Sequence, residues 1–198
     1  MSRILTLDQG GQPNEWISWN DAIMYHAKNL VAWQLGKGEG DVTYTGGTNR
    51  ITGELSQIQT APIIAIKGEN GAAKRAKRLT PLTNPALFRR DGHICAYCAR
   101  NFSEHRLSRD HVIPTSRGGL DVWTNVVTAC EMCNHRKDDK LLSECGMELI
   151  YVPYAPNSAE ALLLASRNIL ACQMEYLKAF LPKHSRVLER IENGQQVH

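Results

Sequence analysis

The first 68 residues alternate short apolar runs with polar turns, which predicts a small α+β unit at residues 1–68. Ile4–Leu7 is typical of a short strand. Ser18 and Asp21 have the spacing of a helix capping box, and the apolar residues after them predict a helix that runs to about Gln34. Strand-like runs follow at residues 42–45, 51–58 and 61–67. Nothing in this unit indicates a particular chemistry, so its role is not predicted.

Residues 146–198 carry a second, broader apolar pattern. We expect a strand at 148–152 and then one long helix, opened by a capping box of Asn157 and Glu160 and ended by Pro182. The apolar face of this helix is wide and needs cover. Either the rest of the chain covers it or the helix pairs with a second copy in a homodimer.

Residues 69–82 lack an apolar period, and this predicts a linker. Its positive charges are those of Lys74, Arg75, Lys77 and Arg78. Such a run either follows the phosphate backbone of a nucleic acid or is simply a solvated connector.

The remaining segment, residues 83–145, contains two CxxC pairs. They are Cys95 with Cys98 and Cys130 with Cys133. Four thiolates suit the tetrahedral shell of Zn²⁺, and a shell of four protein ligands leaves no open position, so we expect a structural zinc ion. Disulfides are disfavoured because the N-terminus lacks the features of a secretory signal.

Polar side chains of a different kind lie between and beside the cysteines. Asp110 and His111 stand near the end of a predicted strand, and Asn134 stands near the start of a helix predicted over 131–140. Carboxylate and amide oxygens are typical ligands of Mg²⁺. A neutral imidazole can take a proton from water near neutral pH.

These residues resemble the HNH endonucleases, in their zinc-bearing branch, over about residues 83–140. The motif residues are Cys95-x2-Cys98, Asp110-His111-Val112-Ile113-Pro114, Ser116-Arg117-Gly118-Gly119, Asn125 and Cys130-x2-Cys133-Asn134-x2-Lys137. The resemblance implies a ββα-metal core within an α+β protein.

The resemblance also implies roles for individual residues. His111 would be the general base that activates water. Asn125 would hydrogen-bond across the loop between the two strands and hold the backbone of His111. Asp110 and Asn134 would hold a catalytic Mg²⁺ or Mn²⁺ ion, although His135 could replace Asn134 as the ligand on the helix. The chain departs from the family at Asp138, where glycine is common.

Charge is unevenly spread along the chain. Residues 67–140 hold 14 of the 23 Lys and Arg residues and 8 of the 20 Asp and Glu residues, a local net charge of +6. This favours a polyanionic substrate. The residues expected to contact phosphate are Arg109, Arg117, Lys137 and the four basic linker residues.

The function expected from these features is that of a metal-dependent endonuclease acting on double-stranded DNA. The alternative is an inactive, zinc-stabilised nucleic-acid-binding or adaptor protein. No apolar run reaches the length of about 20 residues that crosses a bilayer. A cytoplasmic location is expected from the family.

Overall fold

The computed structural model describes residues 3–36, 38, 40–68, 81–166 and 168–194. The basic linker residues Lys74, Arg75, Lys77 and Arg78 lie outside this range. The chain divides into two compact units, Met1–Arg78 with Ser166–Pro182 and Leu79–Ala165 with Lys183–His198. In the part of the chain that the structure describes, no helix is long and apolar enough to cross a membrane.

Helices and short sheets are mixed along the chain, which confirms the α+β class. The strands are β1 (Ile4–Leu7), β2 (Pro13–Ile17), β3 (Val31–Leu35), β4 (Val42–Thr48), β5 (Leu55–Thr60), β6 (Ile63–Ile66), β7 (Leu107–His111) and β8 (Val126–Cys130). The helices are α1 (Trp19–Ala27), α2 (Asn84–Arg90), α3 (Glu131–Lys137), α4 (Leu142–Cys145), α5 (Ser158–Ala165), α6 (Ala171–Lys178) and α7 (Arg186–Glu192).

The first unit is built on a four-stranded sheet of order β2-β1-β6-β3. Strands β1 and β6 are parallel, and the other two pairings are antiparallel. Strands β4 and β5 form a separate antiparallel pair. The apolar core of this unit contains Ile4, Ile17, Ala22 and Ile64.

Helix α1 begins as the sequence predicts but ends earlier. The Ser18 hydroxyl accepts a hydrogen bond from the Asp21 amide at 3.2 Å, and the Asp21 carboxylate accepts one from the Ser18 amide, also at 3.2 Å. The predicted continuation to Gln34 is wrong. Asn29 takes a φ of 55°, a left-handed conformation that asparagine tolerates and that ends a helix. The residues after it form β3, which pairs with β6.

The C-terminal region contains several short helices, so the prediction of one long helix is wrong. Leu170 is extended, with φ −70° and ψ 154°, and its amide donates to Gln173 Oε1 at 3.1 Å, which starts α6 as a new helix. Residues 148–152, expected as a strand, form none. Leu163 of α5 and Leu177 of α6 are each fully buried within the chain. The wide, continuous apolar face that was the reason to consider a homodimer is therefore not formed.

The second unit carries the two CxxC pairs. Strands β7 and β8 are antiparallel, with Leu107 opposite Cys130 and His111 opposite Val126. Helix α3 follows β8 directly, as predicted, but ends at Lys137 because Asp138 adopts a φ of 52°. The apolar core consists of Leu87, Phe88, Leu107, Trp123 and Val126. The antiparallel pairing brings the start of β7 beside the start of α3, and Lys137 at the end of α3 contacts Asp110 and His111 at the end of β7.

Candidate metal sites and active site

The four cysteines of the CxxC pairs converge on one point. Their sulfur atoms all lie within 4.8 Å of one another, and no other group in the described residues brings three or more potential metal-ligating His, Cys, Asp or Glu side chains that close. Zinc–sulfur bonds of about 2.3 Å in a tetrahedron place the sulfurs about 3.8 Å apart. A small contraction of the group would therefore accommodate Zn²⁺, and all four residues are free thiols, not disulfides.

The electrostatics of these thiols also suit a cation. Burial and the neighbouring thiols Cys130 and Cys95 raise the pKa of Cys133, because several thiolates packed together repel one another. At Cys95 burial opposes ionisation, but hydrogen bonds from the backbone of Cys130, Cys98 and Tyr97 outweigh it and lower the pKa. Backbone amides thus stabilise a sulfur anion at Cys95, and a bound cation would offset the repulsion among the four thiolates.

Asn134 projects from α3 toward β7. Its Nδ2 atom donates a hydrogen bond to Ser108 Oγ at 2.8 Å, so its Oδ1 atom is the acceptor that the amide presents to other groups. An open cleft of about 420 Å³ lies here, lined by Ser108, Glu131, Asn134, His135 and Asp138. The cleft therefore places both candidate ligands of α3, Asn134 and His135, at the same opening.

Asp110 also faces α3, because it lies two residues after Ser108 on β7 and alternate strand residues share a face. Its side chain is nearly buried, with 5% of its surface exposed. Oδ1 accepts a hydrogen bond from Lys137 Nζ at 3.2 Å, and Oδ2 accepts one from the hydroxyl of Tyr97. Burial and the Asp110 carboxylate raise the pKa of Tyr97, so the phenol stays protonated and donates.

Lys137 is fully buried, which contradicts the prediction that it contacts phosphate. Besides its bond to Asp110, its ammonium donates to the backbone carbonyl of His111 at 2.7 Å. Lys137 and Asn134 are three residues apart on α3 and so lie on one helix face. That spacing was the signal in the sequence that Lys137 turns inward, toward β7.

His111 occupies the other face of β7, together with Arg109. Its Nε2 atom lies 2.9 Å from Asp121 Oδ1. Arg109 Nη1 contacts both carboxylate oxygens of Asp121, at 2.8 and 2.7 Å. Hydrogen bonding from Arg109 is the main cause that lowers the pKa of Asp121. Burial opposes this lowering, and hydrogen bonding from His111 adds to it. Arg109 was expected to contact phosphate, and in the structure it forms an ion pair with Asp121.

Asp121 was missed by the sequence analysis. It lies in the loop between β7 and β8, ten residues after His111. The sequence pointed to Asp121 only indirectly. Arg109 and His111 are two residues apart on β7 and share one face of the strand, so a single acidic residue in the following loop can contact both.

Asn125 holds the start of the same loop. Its Oδ1 atom accepts from the Ile113 amide at 2.9 Å, and its Nδ2 atom donates to the Ile113 carbonyl at 3.0 Å and the Leu120 carbonyl at 2.9 Å. Gly119 passes so close that a Cβ atom there would lie 1.8 Å from the Ile113 carbonyl oxygen. The side chain of Asn125 therefore fixes Ile113, two residues after His111, and not His111 itself.

Arg117 remains at the surface. Its Nη1 atom lies 2.7 Å from Glu144 Oε1, and 39% of its side chain is exposed. An exposed ion pair of this kind opens at little cost, so Arg117 can still exchange its partner for a phosphate.

A comparison with known protein families agrees with the assignment of the central segment. Residues 95–150 match the family model described as HNH endonuclease, which confirms the resemblance over that segment. Among solved structures, the Type II-C Cas9 enzyme from Actinomyces naeslundii is similar at 20% identity, with a TM-score of 0.28 over 50% of this chain. The match spans only 10% of the Cas9 chain. No curated protein matches this chain.

Proposed function

We propose that this chain, which carries an HNH endonuclease segment at residues 95–150, is a metal-dependent nuclease that cuts DNA. The observation that carries the proposal is the arrangement of side chains along β7 and α3. Asp110 and Asn134 both project into the contact between β7 and α3, and His111 is the last residue of β7. A protein that only binds nucleic acid has no need for this combination on one zinc-binding scaffold.

The donor set fits a hydrated divalent ion. An ionised carboxylate offers about four lone-pair positions, so Asp110 can ligate an ion while it keeps its bonds to Tyr97 and Lys137. Asn134 adds a neutral oxygen at a cleft of about 420 Å³. Since one water occupies about 30 Å³ of liquid, the cleft has room for an ion that keeps several waters, as Mg²⁺ prefers.

In the proposed reaction, His111 takes a proton from a water molecule, and that water attacks the phosphorus of a DNA phosphodiester. A divalent ion held by Asp110 and Asn134 would stabilise negative charge on the phosphate and on the leaving oxygen. Asn125 keeps the backbone after His111 in place through Ile113, so the imidazole enters the reaction already positioned. The expected products carry 5′-phosphate and 3′-hydroxyl ends.

The charge distribution supports a polyanionic substrate. Residues 67–140 carry a net charge of +6 within a chain whose total is +3. Arg117 is an exposed cation of the core, and Lys74, Arg75, Lys77 and Arg78 precede it in the sequence. We propose that these residues contact the phosphates of double-stranded DNA.

Plasmid nicking with Mg²⁺ or Mn²⁺ tests the proposal, with wild type compared with His111→Ala. Loss of the general base should lower the rate by about 10²–10⁴-fold. His105→Ala is the matched control, because His105 bonds only to Ser103 Oγ, at 3.3 Å, among the hydrogen bonds described for its side chain. Zinc content should be unchanged in both variants.

DNA binding without cleavage in wild type, with Mg²⁺ and Mn²⁺ both present, would refute the enzyme and leave the zinc-stabilised adaptor. Equal activity of wild type and His111→Ala would remove His111 from the mechanism.

A further inference from the structure

Asp121 is well placed to control the imidazole of His111. An ionised carboxylate only accepts hydrogen bonds, so a contact of 2.9 Å between Asp121 Oδ1 and His111 Nε2 requires a hydrogen on Nε2. In the neutral ring, the other nitrogen, Nδ1, then carries no hydrogen. The contact therefore selects one of the two tautomers.

Arg109 holds Asp121 for this purpose. Its Nη1 atom contacts both carboxylate oxygens, at 2.8 and 2.7 Å, and a hydrogen bond between two charged groups is stronger than one between neutral groups. Arg109 is itself fixed, because its Nε atom donates to Asn84 Oδ1 at 3.0 Å and its Nη2 atom donates to the Leu82 carbonyl at 3.1 Å. The carboxylate is thus anchored to the residues that begin α2.

We propose that Asp121 is a positioning residue that accepts the Nε2 hydrogen of His111 and so leaves Nδ1 as the atom that takes a proton from water. The role rests on the proposed function, since it assigns the reacting atom of the same base. Arg109 supports the role by keeping both oxygens of Asp121 in place. Asp121 itself touches neither phosphate nor the divalent ion.

Asp121→Asn provides a sharp test. Arg109 offers hydrogens to both side-chain positions of residue 121, and an asparagine has only one oxygen to receive them. With that oxygen turned toward Arg109, the new amide donates to His111 Nε2 and forces the hydrogen onto Nδ1. The variant therefore reverses the tautomer with almost no change in shape.

Glu104→Gln is the matched control. Glu104 Oε1 lies 3.2 Å from His93 Nε2, in a second carboxylate–imidazole pair of the same unit. The exposed fractions of the two side chains are 21% for His93 and 51% for Glu104, against 24% for His111 and 53% for Asp121. The control thus removes an equivalent charge at equivalent exposure but away from His111.

Two measurements on the zinc-loaded full chain test whether Asp121 sets the tautomer of His111. Nitrogen-15 NMR of the histidine rings, with the His111 signals identified by their loss in His111→Ala, should show the Nε2-hydrogen tautomer in wild type and in Glu104→Gln. Asp121→Asn should show the Nδ1-hydrogen tautomer. In nicking assays, Asp121→Asn should lose about tenfold to a hundredfold in kcat, with KM unchanged.

An Nδ1-hydrogen tautomer in wild type, or an unchanged tautomer and kcat in Asp121→Asn, would overturn the role of Asp121. Asp121→Ala, which removes the acceptor entirely, should give a mixture of tautomers, and a pure Nε2-hydrogen form there would also count against the role. The NMR result does not depend on cleavage. If wild type cuts nothing, the proposed function fails while the tautomer still reports whether Asp121 orients His111.

Discussion

Lys137→Met tests whether the second unit depends on a buried ion pair. Methionine has nearly the length of lysine and no charge, so the substitution keeps the volume and removes the ammonium. Lys137 is fully buried and Asp110 is 5% exposed, so the carboxylate would be left in the interior with the Tyr97 hydroxyl as its described hydrogen-bond donor. The backbone carbonyl of His111 would lose its donor as well.

The magnitude follows from these two losses. Removal of one partner of a buried ion pair costs about 3–5 kcal/mol, because the other charge remains buried without compensation. The lost hydrogen bond to His111 adds about 1 kcal/mol. Glu104→Gln, which breaks the exposed pair with His93, should cost no more than about 1 kcal/mol.

The assay is amide hydrogen exchange of β7 and β8 in the zinc-loaded full chain, which reports the free energy of opening at these strands. Asp110→Asn and the double variant complete a mutant cycle. The double variant removes both charges, so it should be less destabilised than the sum of the single variants by about 1–3 kcal/mol. A Lys137→Met protein within about 1 kcal/mol of wild type, with additive effects, would refute a buried pair.

Three further predictions concern the loop, the zinc site and the substrate surface. Gly119→Ala should destabilise the second unit by about 3 kcal/mol and lower cleavage, because a Cβ atom would lie 1.8 Å from the Ile113 carbonyl oxygen. Gly47→Ala is the control and should melt like wild type, because no atom lies within 4 Å of a Cβ atom there. Equal melting temperatures of the two variants would contradict the close approach at Gly119. Cys130→Ser, or a chelator added to wild type, should release zinc and unfold the core as seen by circular dichroism, so a metal-free variant that melts like wild type would exclude a structural zinc. DNA affinity should fall steeply between 50 and 200 mM salt, and a flat dependence would exclude a phosphate-dominated surface.

The cluster of four cysteines, strand β7 and helix α3 could be predicted because their signals are local, whereas β8 was expected only from the family resemblance. A CxxC pair points two sulfurs at one place within a single turn. The spacing of Cys95 with Cys98 and of Cys130 with Cys133 therefore predicts directly that the sulfurs of each pair lie close together. The strand that ends with Asp110 and His111 and the helix that begins after Cys130 follow from residues that are adjacent in sequence. These features need no knowledge of which elements pack together.

The errors arose where packing decides the outcome. Charge alone suggested that Lys137 meets phosphate, but the contact between α3 and β7 turns it toward Asp110. The helical spacing of apolar residues led to the prediction that α1 continues through Val31, but that segment forms β3, which pairs with β6. The C-terminal apolar pattern was continuous, and the extended backbone of Leu170 divides it.

Strand geometry also explains why Asp110 and His111, although adjacent in sequence, have different neighbours. Neighbouring residues on a strand point to opposite faces, so Asp110 turns to α3 while His111 turns to Asp121. The proposed mechanism requires both residues to act on one phosphodiester, which therefore has to bind at the end of β7, where the strand stops at His111. The Lys137 ammonium fixes this end from one side through the His111 carbonyl, and Asn125 fixes the chain beyond it through Ile113. The proposed catalytic arrangement therefore depends on how β7 ends, and we expect the residues that hold that end to matter as much as those that would react.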